Sequence, residues 1–198
     1  STPLYSSAAS DVYKRQMEEL LKDRRGNLTL TNIDGLCRIA LDKLKKTYEQ
    51  DIQEKNIRIV FDNLTLSLMM EVNVEQFSKV LAGILKNSMY ALLKKSETVT
   101  FSPEIFLGLK VNKDMLEITI RDNGSGIDEN IKDKIFAPFF TTKTTGEAAG
   151  VGLYLCREIV QNHRGTIEVE SKKGEYTQFL ITIPVYQPKT ITPPKEEE

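Results

Sequence analysis

The sequence predicts an α+β domain, a two-layer sandwich with three helices on one face of a mixed, mostly antiparallel sheet. Two observations predict it. Apolar residues recur at helical spacing in two stretches, around 33–55 and 74–95, and glycines open a third helix over about 151–163. Between and after them lie short alternating, β-branched runs, several joined by connections of only a few residues, which makes those neighbours antiparallel. A chain of 198 residues with 40% apolar and 28% charged residues has room for one such domain plus flanking pieces.

Residues 1–16 are rich in Ser, Ala and Thr without helical periodicity, and read as a disordered tail or non-native remnant. Residues 17–26 read as a short charged helical piece stopped by Gly26, a possible end of a longer preceding helix. The domain proper is expected over 27–184. A short strand at Leu28-Thr29-Leu30 leads to Thr31 or Asn32 as the cap of a helix over 33–55, with Ile33, Leu36, Cys37, Ala40, Leu41 and Leu44 on one face. Residues 57–64 and 66–72 read as two strands around a turn at Asp62-Asn63. Asn73 caps a helix over 74–95 whose apolar face runs from Phe77 to Leu92. After a polar connection containing Pro103, residues 105–111 and 116–122 pair as a hairpin around Asn112-Lys113-Asp114. A glycine turn follows, then a short helix over 128–135, an aromatic cluster at Phe136–Phe140, and a small, polar, mobile loop over 144–149. The helix over 151–163 ends at His163, read as a C-terminal capping residue in preference to a catalytic one. Residues 166–170 and 178–183 form a last hairpin around Lys172-Lys173-Gly174, and 185–198 read as a disordered tail.

Composition narrows the function classes. A net charge of -1 with scattered Lys and Arg gives no footprint for nucleic acid. No apolar run approaches the ~18 residues of a membrane span, so no membrane contact is expected from this chain. Cys37 and Cys156 are far apart and lack metal-ligand spacing, as expected of buried thiols in a reducing compartment.

Four segments carry chemistry, each with a plainer reading beside it. In Asp122-Asn123-Gly124-Ser125-Gly126 a carboxylate at a strand end can accept from an exocyclic amine, and the glycines let the backbone pass close to a flat ring; an ordinary Asn-Gly turn would look similar. Asn87, at the margin of an apolar helix face, is either a satisfied core amide or an oxygen ligand for a hard cation such as Mg²⁺. The three Phe within 136–140 are either core or the anchor of a lid formed by the following loop. Gly150-Val151-Gly152-Leu153 opens a helix whose N-terminus favours phosphate, although glycines there also serve simple flexibility.

In this order the segments resemble the catalytic, ATP-binding domain of sensor histidine kinases, within the wider group of gyrase, Hsp90 and MutL ATPases. Residues 80–88 look like its asparagine box, 122–126 its first glycine box, 136–143 its phenylalanine box, and 150–153 its second glycine box. The resemblance implies a Bergerat-type ATP-binding fold and the cofactors ATP and Mg²⁺. It implies Asn87 as the Mg²⁺ ligand, Asp122 as acceptor for the adenine amine, and Gly124 and Gly126 as shapers of the base pocket. Gly150, Val151, Gly152 and Leu153 would face the phosphates, Lys143 would reach them from the lid, and Thr177 would help hold adenine, often through water. No residue would act as a protein nucleophile; transfer would rest on positioning and charge neutralisation.

Several positions depart from the family pattern. Gly83 stands where the ATPase branches carry a water-activating glutamate, which argues against hydrolysis. Tyr90 stands where many kinases have a phosphate-binding lysine, and Ala148 where the second glycine box often begins. The phosphoacceptor histidine is absent, so its partner would be a histidine-bearing dimerisation domain of the parent protein and, downstream, a response regulator. The fragment itself would be a cytoplasmic monomer, whether or not its parent is membrane-anchored. The alternatives are a degenerate module that binds nucleotide without transfer, and an ATPase of the gyrase or Hsp90 type.

Overall fold

The computed structural model describes residues 28–65, 67–142 and 150–185. The expected tail at 1–16, the helical piece at 17–26, Lys143, the loop at 144–149 with Ala148, and the tail from 186 lie outside the described residues.

Strand β1 (Thr29–Asn32) runs straight into helix α1 (Ile33–Thr47). Asn32 is the cap, its side chain accepting the Gly35 N–H at 3.1 Å. The expected single helix over 33–55 is broken at Tyr48, and α2 (Glu49–Lys55) starts anew. Thr47 bonds back to the Lys43 carbonyl at 2.8 Å, a competition with the helix ladder that accompanies bending, and Tyr48 leaves the helical region at φ -114°. Asn56, in the left-handed conformation, closes α2.

The strands β2 (Arg58–Asn63) and β3 (Met69–Val72) are not partners. Asp62 and Asn63, expected to form a turn between them, are inside β2. β2 instead pairs in parallel with β4 (Glu104–Asn112), while β3 pairs with β1 in a separate two-stranded sheet. The Asn63 side chain explains the change of direction: its carbonyl accepts the Thr65 N–H at 2.9 Å, an Asx turn at the strand's end, and its amide donates to Asp34 on α1.

Helix α3 (Val74–Ser96) is the long central element, capped by Asn73 on the Gln76 N–H at 3.0 Å. β4 and β5 (Met115–Asp122) form the expected hairpin. The short helix α4 keeps only Glu129–Lys132 of the expected 128–135, because the backbone passes into turns from Asp133. Helix α5 (Gly152–Asn162) precedes the hairpin β6 (Thr166–Lys172) and β7 (Tyr176–Pro184). The main sheet has the order β2-β4-β5-β7-β6, antiparallel except for β2 with β4.

The helices α1, α3 and α5 cover one face of this sheet, so the expected layer arrangement holds. Strand residues alternate accordingly: Ile105, Leu107, Leu109, Leu116, Ile118, Ile120, Ile181 and Ile183 are buried while their neighbours are half-exposed. Phe77, Leu81, Ile84, Leu85, Met89 and Leu92 meet them from α3. His163 terminates α5 as expected and does more. Its Nδ1 lies 2.8 Å from the Ile159 carbonyl and its Nε2 accepts the Asn73 N–H at 3.1 Å, so one ring ties the end of α5 to the start of α3. Those two helices flank the candidate site.

Candidate functional site

The strand pair β5–β7 lies in the interior of the sheet, and its register places Asp122 opposite Thr177. Both side chains are buried, Asp122 at 2% exposure and Thr177 at 4%. They lie at the floor of a cavity of about 590 Å³ between α3, α5 and the loops after β5. Asn87 contributes from α3, Gly126 from the turn after β5, and Gly150, Val151, Gly152 and Leu153 from the start of α5. Apolar walls come from Ile127, Ile131, Ile135, Phe140 and Phe179. Lys86, Lys94 and Lys173 also line it, Lys173 paired to Asp128 at 2.8 Å. A deep, mostly apolar slot with few convergent polar groups is the usual form of a small-molecule site.

Asp122 is the electrostatic oddity. Burial pushes its carboxyl up from 3.8 to about 6, opposed by the Gly124 N–H at 3.0 Å, by the Ser88 hydroxyl and by the Lys95 charge. Ser88 Oγ is buried and reaches no hydrogen bond of good geometry, so its help to the carboxylate is electrostatic rather than a formed bond. The groups that favour the charge at this depth do not offset its burial; a donor arriving from the cavity would add to them.

Gly124 does not line the cavity. It stands behind the wall, where a side chain would meet the Ala91 backbone carbonyl carbon at 2.6 Å, so it lets the turn close onto α3. The next residue, Ser125, donates its N–H to the Ala91 carbonyl at 3.1 Å. From the other side the turn is fastened to the β6–β7 hairpin. Gly174 donates to the Ser125 carbonyl at 2.7 Å, and Ile127 donates to Ser171 Oγ at 2.8 Å. Gly126 sits between these clamps at φ +62°, with the Lys172 carbonyl where a Cβ would go. Substituting Ala should therefore cost about 3 kcal/mol or more through strain plus collision. Urea unfolding would show it as a lower midpoint at unchanged slope; an unchanged midpoint would mean the turn is not so confined.

The start of α5 differs from the other long helices. α1 and α3 carry an Asn cap and an acidic residue in the first turn; α5 has no side-chain cap bond and no acidic residue there. Its leading N–H groups and dipole are left to the cavity. Just before it, Gly150 at φ +72° lies against the Phe139 carbonyl, which joins the aromatic cluster to this wall. Phe136 is core, edge-on to Phe179 at 6.3 Å, whereas Phe140 lines the cavity; the loop that the lid reading requires lies outside the described residues.

The sequence profile described as histidine kinase-, DNA gyrase B-, and HSP90-like ATPase matches residues 73–187, from the cap of α3 past the last strand. The chain belongs to this family. Similar proteins include cyanobacterial phytochrome A of Nostoc sp., 35% identical over 149 residues that make up 74% of this chain and 18% of that protein. Sensor histidine kinase AtsR of Burkholderia thailandensis is 28% identical over 98% of this chain and 32% of its own length. The chain thus spans a third or less of these relatives. The catalytic domain of histidine kinase ThkA superposes with a TM-score of 0.66 at 28% identity, over 80% of this chain and 96% of that structure.

Of the residues expected at a site, the fold brings Asn87, Asp122, Gly126, Gly150, Val151, Gly152, Leu153 and Thr177 to one cavity; Gly124 supports it from behind, and Lys143 lies outside the described residues. Ser171 and the lysines at 86, 94 and 173 were not singled out beforehand. Lysines are common on helix faces and in hairpin turns, and the only hint for Ser171 is its position six residues before Thr177 across a hairpin.

Proposed function

We propose that this chain is the ATP-binding catalytic domain of a two-component sensor histidine kinase, transferring the γ-phosphoryl of Mg-ATP to a histidine outside the fragment. What supports this is the convergence of Asn87, Asp122, Thr177 and the start of α5 on one cavity in a member of this family. Asp122 accepts from the exocyclic amine of adenine, Gly126 lets the backbone run along the ring, and Thr177 completes the base end. The N–H groups from Gly150 to Leu153 meet the phosphates, with Lys143 joining from the lid.

The donor set fits a magnesium ion that arrives with its phosphates. Among the described residues no trio of His, Cys, Asp or Glu forms a metal cage, and Asn87, a neutral amide, lines the cavity. When bound, the ion neutralises phosphate charge; the chain's own part is to hold the nucleotide in line and exclude water. Gly83 lines the cavity beside Cys156, whose sulfur lies 3.2 Å from where a Cβ would be. No carboxylate is offered there to activate water, which favours transfer over hydrolysis.

The acceptor we propose is a histidine-bearing dimerisation domain of the parent, with residues 17–26 as the end of its helix and 27–184 as the catalytic domain, and a response regulator downstream. As a fragment it would be a monomer. A cytoplasmic location agrees with two buried, free cysteines and with the supply of ATP. No helix among the described residues is long and apolar enough to cross a membrane.

The test is to incubate the chain with γ-labelled ATP, Mg²⁺ and the parent's histidine-bearing domain. Label is expected on that partner and on its histidine. Nucleotide binding with no label on the partner would replace the kinase reading with that of a binding module, for which the Gly83 and Tyr90 departures would then account.

A further inference from the structure

We infer that Ser171 is a positioning residue that holds the Thr177 hydroxyl as a hydrogen-bond acceptor and thereby sets the pocket against 6-oxopurines. The inference rests on the nucleotide reading of the cavity. Its basis is a proton count on one hydroxyl. Ser171 Oγ lies 2.7 Å from the Tyr176 carbonyl, which can only accept, so the single serine proton is used there. The same oxygen accepts the Ile127 N–H at 2.8 Å. Its remaining neighbour is Thr177 Oγ1 at 3.1 Å. With its own proton spent, Ser171 can only accept from Thr177, and its hydrogen-bonding capacity is then full. The threonine proton is turned toward β6, away from the cavity, and Thr177 shows the cavity lone pairs alone.

The neighbouring group is Asp122, register partner of Thr177, which is also an acceptor when ionised. Two acceptors side by side suit the amine edge of a 6-aminopurine, directly or through a water that donates to both Thr177 and the ring nitrogen. The carbonyl of a 6-oxopurine would meet lone pairs only, and a site built for one pattern rejects the other strongly. Ser171 does not line the cavity; it acts through Thr177. Removing its hydroxyl frees the threonine proton to rotate inward and donate to a C6 carbonyl.

The experiment measures affinities of the 198-residue chain for ADP and inosine diphosphate by calorimetry, in wild type and in Ser171→Ala, Ser171→Thr, Thr177→Val and the Ser171→Ala/Thr177→Val pair. Ser171→Ala also strips the Ile127 N–H of its partner and loosens the turn, which weakens both nucleotides alike; the ratio of the two affinities is therefore the readout. We expect Ser171→Ala to lower the preference for ADP by about tenfold, the worth of one hydrogen bond gained or lost. Ser171→Thr should restore it, and in the Thr177→Val background position 171 should no longer affect it. An unchanged ratio in Ser171→Ala, or the same change without Thr177, overturns the inference. Wild-type protein that binds neither nucleotide would instead overturn the nucleotide reading itself.

Discussion

Asp122→Asn is expected to abolish nucleotide binding and, at the same time, to make the empty domain more stable. The two effects have one cause. The fold buries a carboxyl whose ionisation it resists, raising it from 3.8 to about 6. For a group raised on folding, the stabilising contribution is complete below the ordinary value and disappears as pH climbs through the folded one. At pH 7 the ionised Asp122 is thus a burden of order 2–3 kcal/mol, by the span between those values. Asparagine keeps an oxygen for the Gly124 N–H and removes the charge, so melting at pH 7 should move up by several degrees. Binding responds oppositely, because asparagine presents an amide where an acceptor is needed. In the wild type the same logic makes ADP affinity fall as the medium is acidified through about pH 6. A variant that melts lower and still binds ADP would sink both the burial argument and the base contact.

Asn87→Ala should separate metal-dependent from metal-independent binding. With Mg²⁺, phosphoryl transfer to the supplied histidine domain is expected to drop by about 100-fold or more, the usual size when one preorganised electrostatic contact to transferring groups is lost. With EDTA in place of Mg²⁺, ADP affinity should stay within about threefold of wild type, because on the proposed reading the base is held from Asp122 and Thr177, on β5 and β7, and not from Asn87. Asn87 is half-buried at the margin of the core face, so the substitution leaves the packing of Ile84, Leu85 and Met89 in place. Transfer at the wild-type rate would remove Asn87 from the metal site.

Local signals carried far in this chain. Asn32 and Asn73 were legible as caps because a polar residue stands directly before an apolar periodicity, and the core faces of α1 and α3 followed from the same period. The β4–β5 and β6–β7 hairpins were legible because their partners are neighbours in sequence. The parallel pairing of β2 with β4 was not, since it joins Arg58 to Glu104 across a whole helix and no local pattern encodes it. The break at Tyr48 was missed because the apolar period tolerates one irregular residue. At the site, Asp122, Asn87 and the glycines stood out through the order in which their segments resemble a known family, since each segment alone has a plainer reading. Ser171 did not, because its part depends on which strand lies opposite and on where a single proton goes.

The apposition of Asp122 and Thr177 has a bearing on how the protein is assembled. Fifty-five positions of chain separate them, and only correct alignment of β7 against β5 sets them face to face. A slip of one residue would turn Thr177 to the solvent side of the sheet. On the proposed reading, adenine would be gripped only after β5 and β7 have met in their proper alignment. Ligand capture becomes a proofreading step for the finished topology, and molecules that failed it would remain empty and be the ones left to proteases.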